Sequence, residues 1–472
     1  MATAPAVLPA ASGTDARRWW MLAALLLGQL MAIADVFIVN IAVPRIGAEL
    51  HASGATLQLV VAGYTVTYAM LLIAGARLGA VLGRRRMYLA GVLVFTAASL
   101  GCALAPSGAA LVVLRCVQGA GAAMLVPQII SVIQTRFTGP DRVRAVSAFG
   151  GVLACGAVTG LILGGVLVDA DLFGLTWRPA FFVNVVPGAL LLFVLPRVMP
   201  ADPPVGKPRL DVAGLLTAAT AVLLIVLTLT FGRQLGWPSW TFAALFAGLA
   251  LAAGFVALER RIAARGGAPL LNLAVFRAPG LRPALVVLAV MTAGYGGFLF
   301  SFTLHLQTGL GAGPLSAGLT YLPLAVVFGL AGYHWRRLPA RVQPLVTPAG
   351  LACCTLGYLG LAIALSGGGH GGALAVVSLM VAGLGMGLTA SPVLSQALLR
   401  VPPERAADAS GVLTTAGQLS QVLGVAGFGT LYFSVHGTSS AAIATTCLGL
   451  AVVSAAGVGA AIVLARTVRR TR

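Results

Sequence analysis

Residues 19–43, WWMLAALLLGQLMAIADVFIVNIAV, decide the fold of this chain. This run is longer than the roughly 20 apolar residues that a helix needs to cross a bilayer. Similar runs recur along all 472 residues, of which 59% are hydrophobic and only 9% charged. Water-soluble domains have far more charge. We therefore expect an all-α polytopic membrane protein, because a helix satisfies its own backbone hydrogen bonds in lipid.

The apolar runs predict about fourteen membrane spans. They cover approximately residues 19–43, 57–82, 87–105, 109–133, 144–168, 180–198, 212–232, 240–258, 283–306, 315–334, 345–365, 372–398, 411–434 and 441–465.

The net charge of +19 has a topological explanation. If the N-terminus is cytoplasmic, all but four of the 30 Lys and Arg residues fall in the tails and loops on the inner side. This bias is the positive-inside rule, and with an even number of spans it predicts that both termini are cytoplasmic. The basic character therefore gives no reason to expect a nucleic-acid partner.

Two polar loops divide the chain. Residues 199–211 and 259–282 are rich in Pro, Gly and charge, and they separate the spans into groups of six, two and six. This division predicts two six-helix bundles related as parallel repeats, with a binding site between them near the middle of the membrane. The expected domains are a tail at 1–18, a bundle at 19–198, a linker with two inserted helices at 199–282, a bundle at 283–465 and a basic tail at 466–472.

Asp35 is the one acidic residue inside a predicted span. A carboxylate at the centre of a membrane helix costs roughly 2.5 to 3.5 kcal/mol, so such a residue is a functional candidate by default. Arg115 lies in the fourth span and also needs a partner. It can pair with Asp35 or bind backbone carbonyls, and the sequence leaves both alternatives open. We predict that Asp35 and Arg115 are the proton-coupling residues, because a low dielectric favours the neutral, protonated carboxyl.

Amide, phenol and imidazole side chains in the spans are candidates for the substrate cavity. Aromatic and amide groups around a buried acid suit amphipathic molecules that carry a positive charge. Packing is the alternative role for each aromatic residue, and a hydrogen-bonded helix end is the alternative for the histidine. The predicted cavity residues are Gln29, Asn40, Tyr64, Gln118, Gln128, Tyr295, His305 and Gln307.

Glycine is abundant, with 60 residues, and small residues let membrane helices approach closely. In the fifth span Gly156, Gly160 and Gly164 recur every four residues, and Gly165 follows. They predict a helix-packing seam. The seam either holds a static contact or lets the two halves slide against each other.

Several kinds of chemistry are excluded. Lys207, in VGKPR, is the only lysine, so the chain has no P-loop, and neither HExxH nor GxSxG occurs. The six cysteines show no metal-ligand spacing. We expect no enzyme, no metal and no cofactor.

Six segments in chain order carry a family resemblance. They are ADVFIVNIAVP with Asp35, Asn40 and Pro44; LRCVQGAGAAM with Arg115, Gln118, Gly119, Gly121, Ala122 and Ala123; GAVTGLILGG with the seam glycines; WRPAFFVNVVPG with Trp177, Arg178, Asn184 and Pro187; RLDVAG with Asp211 and Gly214; and DASGVLTTAGQLSQVLGVAGFGT. Together they resemble the motifs of the major facilitator superfamily, in particular the drug:proton antiporters with fourteen spans.

The resemblance implies the major facilitator fold and secondary active transport in the cell membrane. It also implies a cytoplasmic gating loop between the second and third helices, formed here by Gly79, Gly83, Arg84, Arg85 and Arg86. Two positions depart from the family pattern. Ala80 replaces the acid of the gating loop, and Leu161 replaces the usual proline of the fifth helix, which predicts a straighter helix.

The function expected from this resemblance is proton-coupled efflux of hydrophobic or amphipathic drugs or metabolites, some of them cationic. The proton motive force would be the energy source, and the protein is expected to act as a monomer in the lipid bilayer. Two alternatives remain: a dedicated exporter of one endogenous metabolite or lipid precursor, and a non-transporting membrane sensor or assembly partner.

Overall fold

The computed structural model describes residues 15–201, 211–232, 235–265, 267, 269, 276, 280–398 and 406–469. This part of the chain consists of helices and turns, without a β-strand. Most of the N-terminal tail, residues 470–472, the loop at 202–210 and much of the loop after residue 265 lie outside it, as does the side chain of Ala80.

Seven helices form the first half. They are α1 (Asp15–Glu49), α2 (Gly54–Leu82), α3 (Arg84–Ala103), α4 (Gly108–Arg136), α5 (Gly139–Asp169), α6 (Pro179–Phe182) and α7 (Val185–Val198). Hydroxyl groups cap two of the starts: the Ser53 side chain accepts from the backbone N–H of Thr56, and that of Ser107 from Ala110. The short α6 and the longer α7 together make one broken span.

Two inserted helices and the second half follow. The inserted helices are α8 (Val212–Phe231) and α9 (Ser239–Ala264). The second half contains α10 (Leu281–Leu304), α11 (Pro314–Thr320), α12 (Leu322–His334), α13 (Val346–Ser366), α14 (Gly372–Leu398), α15 (Ala406–Ser434) and α16 (Ser439–Arg469). A π-helical turn, His305–Gly309, extends α10.

The two halves pack their helices in the same way. In the first half α1 lies against α5, and at Gly160 a β-carbon would lie 2.6 Å from the carbonyl oxygen of Ala34. In the second half α10 lies against α15, and at Gly424 a β-carbon would lie 1.9 Å from the carbonyl oxygen of Ala293. Both distances are too short for any side chain, so glycine sets the spacing of each helix pair. The pattern is that of two parallel repeats.

The inserted helices lie at one side of the two halves. Helix α8 packs on both α2 and α15, where Val226 joins Ala62, Val66 and Val422 in one apolar cluster. Helix α9 packs on α8 and is otherwise largely exposed. Since large apolar side chains such as Phe242, Phe246 and Leu249 are exposed along it, we expect α9 to face lipid.

Among the described residues, the two halves contact each other closely at one end of the bundle. We call it the outer end; it carries the loops at 50–53, 310–313 and 435–438. A β-carbon at Gly165 of α5 would lie 2.8 Å from Cα of Leu315, and one at Gly429 of α15 would lie 2.5 Å from Nε2 of Gln58. The outer end is thus closed, and the charge distribution predicts that it is extracellular.

Each predicted span lies within one or two of these helices. In the described part of the chain, eleven helices are long and apolar enough to cross a membrane, and two shorter apolar segments lie at Thr159–Asp169 and Ala213–Leu229. The all-helical membrane fold is therefore confirmed. The number fourteen and the side of the termini stay predictions.

Candidate functional site

The carboxylate of Asp35 is completely buried inside the first half, where α1 meets α4 and the break between α6 and α7. Its Oδ2 accepts a hydrogen bond of 2.5 Å from Nη1 of Arg115. Its Oδ1 accepts two bonds of 2.8 Å, from Nε2 of Gln118 and from Nδ2 of Asn184. Gln118 also donates to Oγ of Ser99, at 2.7 Å. We call these five residues the Asp35 cluster.

The local sequence explains why side chains from α4 and from the break between α6 and α7 reach the carboxylate of Asp35 on α1. Arg115 and Gln118 are three residues apart on α4, so they share a face, and Nη1 of Arg115 also donates to Oε1 of Gln118 at 2.5 Å. Asn184 lies at the break between α6 and α7. The break follows from Pro187, which has no N–H for the carbonyl of Val183 four residues earlier.

Arg115 combines both interactions that the sequence left open. It pairs with Asp35, and its Nε donates to the backbone carbonyl of Val60 at 3.0 Å. The guanidinium group also lies 4.7 Å from the ring centre of Tyr64 and 5.8 Å from that of Phe181, both cation–π distances. The positive charge is therefore held by a carboxylate, a carbonyl and two aromatic rings in a dry environment.

The cluster matches the chemistry of an ionised carboxylate. Three N–H donors point at the two oxygens of Asp35, and one of the donors is charged. Such charge-assisted bonds offset the cost of removing the carboxylate from water. Removal of one partner from a buried pair costs about 3 to 5 kcal/mol, because the other charge is left uncompensated.

Two other predicted cavity residues of the first half, Asn40 and Tyr64, bind neighbouring backbone. Nδ2 of Asn40 donates to the carbonyl of Val36 on its own helix, at 2.7 Å. The hydroxyl of Tyr64 donates to the carbonyl of Ala32 at 3.1 Å, which ties α2 to α1. Gln29 is buried as well. Their role in substrate binding stays a prediction.

Gln128 requires a correction. Its side chain is buried, and Nε2 donates to the carbonyl of Gly75 at 2.9 Å and to that of Met124 at 3.1 Å. A β-carbon at Gly79 would lie 1.9 Å from its Oε1. In this structure Gln128 therefore holds α2 against α4 and does not face a cavity. Gln118 likewise belongs to the Asp35 cluster.

The three cavity candidates of the second half lie apart from the Asp35 cluster. Tyr295 is half-buried, and its ring centre is 6.0 Å from that of Phe37, so it lies where the halves meet. Nε2 of Gln307 donates to the carbonyl of Ile41 on α1 at 2.8 Å, a hydrogen bond between the halves. His305 is buried at the outer end, with its ring centre 6.4 Å from that of Phe302.

The gating loop is a tight connection between α2 and α3. Gly83, with a positive φ of 96°, is the single residue between the two helices. Arg84 reaches α4, where its Nε donates to Oγ of Ser131 at 2.6 Å and its Nη1 to Oγ1 of Thr135 at 3.3 Å. Arg85 is half-buried and Arg86 exposed. Hydroxyl groups of α4 therefore hold this loop.

The glycine seam packs mainly against one helix of its own half. β-carbons at Gly156, Gly160 and Gly164 would meet Ile33, Ala34 and Ile38, which all belong to α1 in the same half. Gly165 alone among the four faces the second half, at α11. Three of the glycines therefore hold a close helix contact within one half, which is the static alternative, whereas Gly165 contacts the other half.

Sequence reasoning did not assign two members of the Asp35 cluster, Ser99 and Asn184. Asn184 did carry a signal, since an amide three residues before Pro187 lies at a helix break in an apolar stretch. Ser99 carried none, because a serine in a span can bond its own helix backbone.

Comparison with known proteins agrees with this architecture. The sequence profile described as Major Facilitator Superfamily matches residues 25–425. The chain is 36% identical over 432 residues to the probable actinorhodin transporter of Streptomyces coelicolor, covering 90% of this chain and 74% of the relative. It is 34% identical to the multidrug resistance protein Stp of Mycobacterium tuberculosis, covering 86% and 74%, and 34% identical to the cephamycin export protein CmcT of Amycolatopsis lactamdurans, covering 84% and 81%.

Solved structures share the fold. A bacterial homologue of the human lysosomal transporter Spinster, in an inward-facing and unoccupied conformation, superimposes with a TM-score of 0.70 at 17% identity, over 98% of this chain and 99% of that one. A peptide transporter of the POT family in complex with sulfate has a TM-score of 0.67 at 18% identity, over 95% of both chains.

The family profile and the transporter relatives define a polytopic membrane transporter rather than an enzyme. The chain belongs to the Major Facilitator Superfamily, and it is a multi-pass protein of the cell membrane.

Proposed function

We propose that this protein exports amphipathic, drug-like molecules in exchange for protons. The Asp35 cluster is the observation that carries the proposal. In this cluster Asp35 is fully buried, and its hydrogen bond with Arg115 depends on the charge of the carboxyl group. An intramembrane ionisable residue of this kind marks an ion or substrate pathway.

Protonation of Asp35 is the step that couples the gradient to the protein. A neutral carboxyl no longer compensates the charge of Arg115, so the bonds that hold α1 to α4 weaken. Helix α1 also carries contacts with the other half, at Phe37 and at Ile41. A shift of α1 therefore changes the closure of the outer end, and a proton biases the equilibrium between two states by its differential affinity.

The energy is sufficient for export. One proton that crosses about 100 mV supplies roughly 2.3 kcal/mol. Since 1.4 kcal/mol corresponds to a factor of ten, this energy supports a gradient of somewhat less than a hundredfold for a neutral solute.

The relatives support an amphipathic substrate. Stp is named as a multidrug resistance protein, and another relative, 35% identical over 86% of this chain, is named the drug efflux pump JefA, also of Mycobacterium tuberculosis. Tyr295 and Phe37 lie where the halves meet, and aromatic faces of this kind attract apolar and cationic groups.

Export of a single metabolite is the second candidate. It is favoured by the names of two relatives, the probable actinorhodin transporter and the cephamycin export protein, each of which matches most of this chain. Comparison of the culture medium of a deletion strain with that of its parent separates the candidates. Loss of one compound, without new sensitivity to lipophilic dyes, supports the dedicated exporter.

Transport of ethidium into inverted vesicles tests proton coupling. We expect uptake that an imposed proton gradient drives, that an uncoupler abolishes and that Asp35→Asn lacks. Asp169→Asn is the matched control, because it removes the same charge from an exposed residue at the end of α5. Gradient-driven uptake in the Asp35→Asn protein at the wild-type rate would refute the role of Asp35.

A further inference from the structure

Asn184 is a member of the Asp35 cluster to which the proposed mechanism assigns no role. Its side chain is 2% exposed, and its Nδ2 donates to Oδ1 of Asp35 at 2.8 Å. It comes from the break between α6 and α7, whereas the other two donors to the carboxylate come from α4. Asn184 therefore holds α1 independently of Arg115 and Gln118.

The ionised and protonated carboxyl groups need different partners. An ionised carboxylate only accepts hydrogen bonds, whereas a protonated one also has an O–H that must donate. A buried donor left without an acceptor costs about 1 to 3 kcal/mol. A site that binds and releases a proton repeatedly therefore needs one neighbour that can donate in one state and accept in the other.

Arg115 and Gln118 do not meet this requirement. A guanidinium group has no acceptor, so Arg115 can only donate. Gln118 is fully committed: its Oε1 accepts from Arg115 and its Nε2 donates to Ser99 as well as to Asp35. Rotation of its amide would turn an N–H group towards the cation and break both other bonds.

Asn184 meets the requirement. Its amide has an N–H donor and a carbonyl acceptor at nearly equal positions, so a half turn of χ2 exchanges them. We propose that Asn184 is the proton-positioning residue of this transporter, and that its amide donates to ionised Asp35 and turns to accept from protonated Asp35. The proton comes from water and returns to water, and no bond to carbon changes.

Other titratable groups also face the carboxylate and must be separated from it. In the described part of the chain they are Arg115 on α4, Tyr64 on α2 and Cys102 on α3. A difference measurement against Asp35→Asn removes the background of all three groups, because that variant keeps them.

The inference rests on the proposed proton coupling, so its test reads the proton on Asp35 without any substrate. Infrared difference spectra of the purified protein, recorded as a function of pH, show the protonated carboxyl band. The part of the band that Asp35→Asn lacks belongs to Asp35. We expect its midpoint to move to higher pH by about one unit in Asn184→Leu, a roughly tenfold gain in proton affinity.

The direction follows from bond strengths. A hydrogen bond to a charged group contributes about 1.5 to 3 kcal/mol, and one between neutral groups about 0.5 to 1.5. Loss of Asn184 therefore harms the ionised form more than the protonated form. Asn184→Ser keeps a donor and an acceptor, and we expect it to return the midpoint most of the way towards the wild-type value.

Controls keep the outcomes distinct. Asn184→Ala, which adds no bulk, gives the same expected shift if Asn184→Leu does not fold. Gln396→Leu removes a buried amide of α14 in the other half and should leave the midpoint unchanged. An Asp35 band that titrates alike in wild type, Asn184→Leu and Asn184→Ala overturns this inference and leaves proton coupling intact. If the Asp35 band does not titrate in any of these proteins, both this inference and the proposed proton coupling are wrong.

Discussion

The two halves share a frame but differ at their centres. In the first half the space between the first four helices holds the Asp35–Arg115 ion pair. In the second half the equivalent spans are α10, the α11–α12 pair, α13 and α14, and an aromatic cluster of Phe298, Tyr321 and their neighbours lies among them. Its ring centres lie 5.0 Å apart for Phe298–Phe302, 5.4 Å for Phe302–Tyr321 and 5.5 Å for Phe298–Tyr358.

Polar groups in the two centres are satisfied by different means. The hydroxyl of Tyr321 donates to the carbonyl of Leu299 at 3.0 Å, a neutral bond that does not change with pH near neutrality. The bonds of Asp35 depend on its charge. Under the proposed mechanism, the bonds that respond to the proton lie in the first half, whereas the bond of Tyr321 in the second half does not respond to it.

The largest expected effect comes from breaking the ion pair on one side. Arg115→Leu leaves the buried carboxylate without its cation, and we expect a loss of about 3 to 5 kcal/mol of stability. Thermal unfolding in detergent measures it. The double variant Asp35→Asn/Arg115→Leu should recover most of the loss while remaining inactive, whereas Tyr321→Phe in the second half should cost no more than about 1.5 kcal/mol. An unfolding temperature for Arg115→Leu equal to that of wild type would contradict this account.

The next largest effect on stability is expected at the close helix contacts that the two halves share. Ala at Gly160 or at Gly424 places a β-carbon against the backbone of α1 or of α10, so the helix pair must move apart. Overpacking of this kind costs about 1 to 3 kcal/mol. We expect Gly424→Ala to lower the unfolding temperature more, because its contact is closer. Gly459→Ala on α16 is the control, since nothing lies within 4 Å of its β-carbon, and a fall equal to that of Gly424→Ala would refute the packing argument.

The helices could be predicted from the sequence better than the contacts that their side chains make. Apolar run length is a local property, so the helices and Asp35 could be found without a structure. The direction of a side chain depends on tertiary packing. For the seam glycines the sequence left a static contact and a sliding surface open, and in the structure Gly156, Gly160 and Gly164 face α1 of their own half. Gln128 was expected in a cavity, yet it bonds to the backbone of α2.

The partners of Asp35 show the same limit. Arg115 could be suspected, because a lone cation in a span needs an anion or a carbonyl. Asn184 could not be assigned, since it is 149 residues away in sequence and its contact depends on how the broken span packs. Loss of the usual proline at Leu161 was expected to leave the fifth helix straighter, and α5 runs as one helix over Gly139–Asp169.

A smaller effect distinguishes the ring of Tyr64 from its hydroxyl. Tyr64→Leu removes the aromatic face 4.7 Å from the guanidinium of Arg115, a desolvated cation–π contact of about 2 kcal/mol. Tyr64→Phe keeps the face and loses only the bond to Ala32. We therefore expect Tyr64→Leu to reduce gradient-driven ethidium uptake by a factor of roughly ten to thirty, and Tyr64→Phe to reduce it much less. Equal losses would show that the hydroxyl, not the ring, supports the cation.

The smallest effect tests how the halves communicate. Gln307 of the second half donates to the carbonyl of Ile41 on α1, the helix that carries Asp35. One such bond contributes about 0.5 to 1.5 kcal/mol, so its loss in Gln307→Leu should favour opening of the outer end by roughly two- to tenfold. A cysteine at Gln58, buried between the halves at this end, reports opening through its rate of reaction with an impermeant thiol reagent in a protein without native cysteines. Gln343→Leu removes a half-buried glutamine near the inner end of α13 and should leave the rate unchanged. If Gln307→Leu also leaves it unchanged, the outer end is held by apolar packing alone, and α1 must transmit the charge of Asp35 through Phe37.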